Sequence, residues 1–200
     1  MRTLTPLLGL IATAAVALAQ GKPAASPSEG PPKTATAVPQ GAAVVTFDRK
    51  AYGYLKDVLL RSAEKMPEEN YSFKPTDTVR SFGQILGHVA DSQYYFCSRV
   101  LDEKNPALKI EQTKTSKADL IGALNGAFAY CNKAYDSITD ASATQTVKLF
   151  GGEDTAKKDV LTINNMHTVE HYGNLVTYLR LKNLVPPSSE QRESQPQPKK

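Results

Sequence analysis

The stretch Asn164-Asn-Met-His-Thr-Val-Glu-His-Tyr-Gly-Asn174 places His167 and His171 four residues apart. On a helix, side chains at this spacing point the same way, about one turn apart. Two imidazole nitrogens can then converge on one metal ion. The same helical strip carries Val160, Asn164, Asn174 and Tyr178. A buried strip this polar needs partners for its polar groups, so the stretch predicts a helix with a metal-binding face.

His88 is the third and last histidine of the 200-residue chain, and it lies in a second amphipathic stretch, residues 81–101. A fold that brought His88 opposite His167 and His171 would complete a three-histidine site. Buried histidines are also common as hydrogen-bonded core residues, so spacing alone leaves both interpretations open.

The first 41 residues are predicted to lie outside the folded domain. Residues 1–19 have a basic start, an apolar run and a small-residue site at Ala17-Leu18-Ala19, as a secretory signal peptide does. The apolar run is too short for a good membrane span, so no stable membrane anchor is expected. Residues 20–41 are rich in Pro, Ala and Ser and read as a disordered tether. We therefore expect a periplasmic or secreted protein.

Residues 42–185 form the predicted domain, and residues 186–200 a predicted disordered tail. The formal net charge of the chain is +4, and several basic residues lie in the tails. The domain has no basic run with interleaved aromatic residues and no glycine-rich phosphate loop. Nucleic-acid binding is therefore not expected.

Cys97 and Cys131 are the only cysteines. A disulfide between them is plausible in an oxidising compartment, although the sequence leaves their pairing open. Cys97 follows His88 by nine residues, which places it on the opposite side of a helix. It is therefore a poor ligand for the same metal.

Helical periodicity predicts four helices and an all-α four-helix bundle. The first covers residues 44–66. The second begins at Ser81, with Gln84 completing a capping box, and the third begins after Ser116. The fourth begins at Asp154 or Thr155 and ends near Lys182. Residues 140–153 are predicted to be a loop, because no run alternates like a strand over a useful length.

His167-Thr-Val-Glu-His171 also fits the H-x-x-E-H pattern of inverted zinc peptidases. Those enzymes need a further acidic ligand well downstream. Here the only acids after His171 are Glu190 and Glu193, in the predicted tail. The pattern therefore does not favour a peptidase, and a metal site in the core of a bundle fits better.

Three longer segments resemble the DinB-like (DinB/YfiT) superfamily of four-helix bundles. They are Tyr71-Ser-Phe-Lys-Pro75, Ser81-Phe-Gly-Gln-Ile-Leu-Gly-His-Val-Ala-Asp91, and His167-Thr-Val-Glu-His-Tyr-Gly-Asn-Leu-Val-Thr-Tyr-Leu-Arg180 with Pro186-Pro187 after it. The resemblance covers about residues 47–187 and implies a metal triad of His88, His167 and His171. Some members of the family attach small cytoplasmic thiols to substrates, which does not suit an exported chain.

The expected function is a metal-dependent hydrolase or small-group transferase that acts on an unidentified small molecule. Three imidazoles would suit a divalent Zn, Ni, Fe or Mn ion and leave positions open for water or substrate. The alternative is a non-catalytic bundle that the metal stabilises or that binds a ligand. A homodimer is also an expectation, because bundles of this kind commonly dimerise.

Four further residues are candidates for the site. Glu170 is a candidate base or ligand-orienting group, although a solvated helix face explains it as well. Tyr95, Asn164 and Asn174 are candidates to line the pocket, with structural hydrogen bonding equally possible.

Overall fold

Four long helices pack into the predicted bundle: α1 (Gln40–Lys65), α2 (Phe82–Val100), α4 (Lys117–Ser137) and α6 (Lys157–Leu181). Shorter elements connect them: α3 (Ile110–Thr113), α5 (Asp140–Ala143), the strands β1 (Thr146–Leu149) and β2 (Glu153–Ala156), and α7 (Pro187–Glu193). The computed structural model describes residues 40–193, which belong to one unit. The all-α four-helix bundle is confirmed. The signal peptide and residues 20–39 of the tether lie outside the described residues, whereas Gln40 and Gly41 belong to α1.

The predicted helix starts at Ser81 and Ser116 are confirmed by their caps. The Ser81 hydroxyl accepts a hydrogen bond from the Gln84 backbone N–H, and the Gln84 side chain accepts one from the Ser81 N–H. The Ser116 hydroxyl accepts from the Asp119 N–H. Both caps satisfy backbone donors that have no partner within the first turn.

The prediction of a loop at residues 140–153 was wrong in part. The segment contains α5 and β1. The strands β1 and β2 form an antiparallel hairpin in which Thr146 pairs with Ala156 and Leu149 pairs with Glu153, and residues 150–152 form its turn. Strands of four residues are too short to show a convincing alternation in the sequence. Because β2 occupies residues 153–156, α6 begins at Lys157, later than predicted.

The predicted tail also needs correction, because Pro187–Glu193 is helical. Glu190 pairs with Arg61 and Lys65 of α1, and the Ser188 N–H donates to the Tyr172 hydroxyl at 2.9 Å. These contacts fix α7 against the bundle. Residues 194–200 of the predicted tail lie outside the described residues.

The helix α2 is central to the bundle, with its most extensive contacts to α4 and α6. Cys97 of α2 and Cys131 of α4 are disulfide-bonded, with their Cα atoms 5.3 Å apart. The bond joins two buried surfaces of the core and closes a long loop, an arrangement that stabilises a fold by restricting the unfolded chain. Within residues 40–193, no helix combines the length and the apolar character needed to cross a membrane.

Candidate metal centre

The bundle brings all three histidines together. His88 comes from α2, and His167 and His171 come from successive turns of α6. The His167 Nε2 atom lies 3.1 Å from the Nε2 atoms of both His88 and His171. Each histidine thus offers one nitrogen to a group of ligand atoms within 4.8 Å of one another.

The two Nε2–Nε2 distances from His167 fit a metal ion. Nitrogens that bind Zn²⁺ at about 2.0–2.1 Å in a tetrahedron lie roughly 3.3 Å apart, and octahedral ligands lie slightly closer. The His167 Nδ1 atom is buried and has no hydrogen-bond partner. If Nδ1 carries the proton of the neutral ring, the Nε2 lone pairs face one another. A cation that accepts these lone pairs removes their repulsion, so the donor set suits a metal.

The electrostatic environment keeps two of the rings neutral. Burial, with the neighbouring His171 and His88 imidazoles, lowers the pKa of His167 to about 4. Burial and His88 lower the pKa of His171 to about 4 as well. Neutral imidazole is the form that binds metals, so both rings are ready as ligands at neutral pH.

Glu111 on α3 fixes the orientation of His88. Its Oε2 atom lies 3.0 Å from His88 Nδ1, and its Oε1 atom accepts a hydrogen bond from Arg80 Nε at 2.8 Å. A carboxylate that accepts the Nδ1 proton leaves the Nε2 lone pair of His88 facing the other histidines. Glu111 is therefore a member of the site that the sequence interpretation missed.

Two features of α2 hold Glu111 in place. The Asp91 carboxylate accepts hydrogen bonds from the backbone N–H groups of Ile110 and Glu111, at 2.9 and 3.0 Å. Gly87 allows α3 to approach, because a Cβ at this position would lie 2.7 Å from the Glu111 Cα. The sequence shows a glycine beside His88, but the residues around it do not indicate which segment packs against it.

The pocket candidates from the sequence lie in different places. Asn164 is fully buried, and its side chain donates to Gln93 Oε1 at 3.0 Å and to the Tyr135 hydroxyl at 3.2 Å. It is part of the core rather than of a pocket wall. Asn174 is exposed, and its Nδ2 lies 3.5 Å from His171 Nδ1. Asn174 therefore lies beside the triad.

Tyr95 and Glu170, the other two candidates, have different surroundings. The Tyr95 hydroxyl accepts a hydrogen bond from the Phe150 N–H at 3.2 Å, which ties α2 to the hairpin. Glu170 is exposed on α6, and its charge raises the pKa of His171 against the larger effect of burial. Glu170 thus affects His171 through its charge, from the exposed face of α6.

Two cavities reach the triad, one at His171 and the other at His167. A polar cavity of about 740 Å³ is lined by His171 and Asn174 together with Arg80, Glu111 and Tyr178. An apolar cleft of about 720 Å³ is lined by His167, by Phe96 of α2, and by side chains of α1, α6 and the hairpin turn. Glu170 lines both. A small molecule in either cavity would therefore lie against one histidine of the triad.

A helical bundle with three converging histidines defines a class of candidate metal-binding proteins, and the comparisons identify the family. The model of the DinB superfamily matches residues 54–175, so the chain belongs to this superfamily. The uncharacterized protein YjoA of Bacillus subtilis strain 168 is 28% identical over 134 residues, which cover 62% of this chain and 82% of YjoA.

Solved structures support the same fold. The crystal structure of the DinB-like protein YjoA from Bacillus subtilis has a TM-score of 0.56 at 21% identity, covering 70% of this chain and 92% of that one. A DinB-like protein from Bacillus cereus ATCC 10987 has a TM-score of 0.62 at 16% identity, covering 70% and 93%. A conserved protein from Enterococcus faecalis has a TM-score of 0.58 at 14% identity, covering 69% and 96%.

Proposed function

We propose that this protein is a metal-dependent enzyme, a hydrolase or small-group transferase acting on a small molecule. His88, His167 and His171 would hold one divalent cation, Zn, Ni, Fe or Mn. Three imidazole ligands suit each of these ions, so the donor set does not choose among them.

One observation supports this proposal most strongly. The three Nε2 atoms converge, one cavity reaches His171 and a second reaches His167, and the group of candidate ligands among residues 40–193 contains no fourth member. Three protein ligands with an accessible further position are typical of catalytic metal sites, whereas structural sites are closed by a fourth protein ligand.

The residues around the triad have separate roles in this proposal. Glu111 holds His88 in the tautomer that presents Nε2, and Arg80 holds Glu111 through its other oxygen. Burial keeps His167 and His171 unprotonated. A bound cation would supply Lewis acidity beside both cavities, between His167 and His171. Asn174 and Glu170 lie at the rim, where they can hydrogen-bond to a substrate.

The alternative is a non-catalytic bundle whose metal is structural. The two cases differ in whether a further coordination position is open. Cobalt(II) reports on this directly, because its visible absorption depends on coordination number and geometry. The experiment loads the metal-free protein with one equivalent of Co²⁺ and adds acetohydroxamate, a small metal chelator.

We expect the visible spectrum to change in a saturable way, as the chelator enters the open position. The variant His167→Ala should give no such protein-derived spectrum. A Co²⁺ spectrum that acetohydroxamate leaves unchanged would mean a closed site and would support the non-catalytic alternative.

We also infer that the protein is exported to the periplasm or secreted. The sequence of residues 1–19 and the disulfide between Cys97 and Cys131 both support this, because disulfides persist in oxidising compartments. Fractionation of cells that produce the full chain should recover a protein that begins at Gln20 outside the cytoplasm. An uncleaved chain in the cytoplasm would contradict export.

A further inference from the structure

The apolar cleft collects much of the exposed apolar surface of the domain. Eight large apolar side chains are exposed among the described residues. Four of the eight line this cleft: Phe47, Phe150, Met166 and Val169. Single exposed apolar residues are ordinary, but a cluster of them is typical of a binding surface.

The cleft is continuous with the histidine triad. His167 forms part of its wall, and the His167 ring packs against Phe96 with ring centroids 5.7 Å apart. Phe96 in turn packs against Phe150, with centroids 5.8 Å apart. His167, Phe96 and Phe150 thus form a row of packed rings, and an apolar group in the cleft would lie beside His167 at one end of this row.

Phe150, in the cleft wall, has a backbone conformation that is unusual for an aromatic residue. Its φ angle is +37°, in a region that bulky residues rarely adopt, and its N–H donates to the Tyr95 hydroxyl. Although Phe150 packs against Tyr95 and Phe96, it remains 59% exposed. Strained residues of this kind are concentrated at functional sites, where the surroundings hold them in place.

The charges of the cleft restrict its ligand further. The charged side chains in its described wall are two carboxylates, Asp48 and Glu170, and no cation accompanies them. The Asp48 oxygens already accept hydrogen bonds from Thr162 and Asn165. The cleft thus offers no partner for an anionic tail, whose charge would be both desolvated and repelled.

We propose that the cleft binds a neutral alkyl or aryl group of the substrate, whose polar reacting end lies at the histidine triad. This inference rests on the proposed function and adds a substrate class to it. The substrate is a small molecule with one polar, metal-directed end and one uncharged apolar end.

The experiment uses a series of hydroxamates as probes of the Zn²⁺-loaded mature protein, with affinities measured by calorimetry. The series runs from acetohydroxamate to octanohydroxamate, so that only the apolar tail grows. We expect affinity to rise about two- to fourfold per added methylene until the cleft is filled. A six-carbon hydroxamate with a terminal carboxylate should bind roughly tenfold more weakly than its uncharged counterpart, because its tail is anionic.

Two variants test the assignment to this cleft. In Phe150→Ser and in Met166→Ser, the ratio of octanohydroxamate to acetohydroxamate affinity should fall by about tenfold. Met166 lies in α6 rather than in the hairpin, so it tests the cleft without altering the turn. The matched control is Leu181→Ser, an exposed apolar residue at the end of α6 outside the cleft, which should retain the wild-type ratio.

The outcomes separate this inference from the proposed function. If acetohydroxamate binds but longer tails bring no gain, the apolar subsite is wrong and the open metal site stands. An unchanged ratio in both variants would also overturn the subsite. If acetohydroxamate does not bind, the proposed function fails and this inference fails with it. A further outcome would also overturn the proposal. If sedimentation shows that Phe150→Ser dissociates a dimer, and the affinity of the wild-type protein does not change with the length of the hydroxamate tail, the cleft is an interface between copies of the chain.

Discussion

Two polar clusters involve α2 and α6, one of them together with Tyr135 of α4, and their hydrogen bonding differs. In the amide cluster, formed by Gln93, Tyr135, Asn164 and Thr168, each side chain has a partner in the cluster. The Gln93 amide donates to the Thr168 hydroxyl at 2.9 Å, and Asn164 donates to Gln93 and Tyr135. Only the Asn164 Oδ1 atom lacks a partner among these groups.

The histidine triad has the opposite character. Its Nε2 atoms point at one another, the buried Nδ1 of His167 has no partner, and two cavities reach it, at His171 and at His167. A buried polar cluster whose members pair with one another stabilises a particular packing. A cluster whose acceptors converge beside open space is arranged for a ligand. The difference separates a structural polar cluster from a candidate site, although both clusters use side chains of α2 and α6.

The largest expected effect is the loss of metal binding in His167→Ala. This variant removes the nitrogen that lies 3.1 Å from both of its neighbours. We expect the affinity for Zn²⁺ to fall at least about 100-fold, because only two protein ligands remain to hold the ion. Competition with a chromophoric chelator measures it. Thr177→Ala, an exposed change on the same helix, is the control and should leave the affinity as it is.

Asn164→Ala should affect the other cluster instead. It leaves Gln93 Oε1 without its donor and opens a small void, so we expect a loss of about 2–3 kcal/mol in the free energy of unfolding. The content of bound metal should be unchanged. Urea denaturation measures the free energy of unfolding, and metal analysis of the same preparation measures the metal content. Asn125→Ala, a change at an exposed asparagine, is the control and should alter neither. Loss of metal at retained stability would place Asn164 in the site after all.

Glu111→Ala should weaken metal binding by an intermediate amount. Partners that orient a histidine ligand typically account for about 10- to 100-fold in metal affinity, and Glu111 is the group that contacts His88 Nδ1. The chelator competition used for His167→Ala applies again. Glu103→Gln, which alters an exposed glutamate bound to Tyr130, is the control. Equal affinities in Glu111→Ala and wild type would remove Glu111 from the site.

The smallest effect is expected for Glu170→Gln. This carboxylate is exposed, and water screens its interaction with His171. The affinity for Zn²⁺ should change by less than about threefold. A loss of tenfold or more in the same titration would instead show that Glu170 orients a metal ligand.

Local signals explain what could be predicted from the sequence. The caps at Ser81 and Ser116, the helical periodicity and the i, i+4 histidine pair all depend on neighbours within one turn. His88, the third candidate ligand, followed from the small number of histidines and from the resemblance to a family of known fold. Asn164 shares the helical strip of His167 and His171 but lies deeper in the bundle, a difference that periodicity cannot show.

The missed features depend on tertiary contacts. Glu111 comes from a four-residue helix whose position is set by the close approach at Gly87 and by the Asp91 carboxylate. The hairpin strands are too short to display a pattern, and α7 forms against Arg61 and Lys65, more than 120 residues away in the chain. Each of these elements is specified by what it packs against.

The most direct test of the account is elemental analysis of the mature protein purified without an affinity tag. We expect close to one transition metal ion per chain, and we expect the variants His88→Ala, His167→Ala and His171→Ala to lose it. Protein that contains no metal, and whose thermal unfolding does not shift when Zn²⁺, Ni²⁺, Mn²⁺ or Fe²⁺ is added, would contradict it and leave the three histidines as packing residues of a helical bundle.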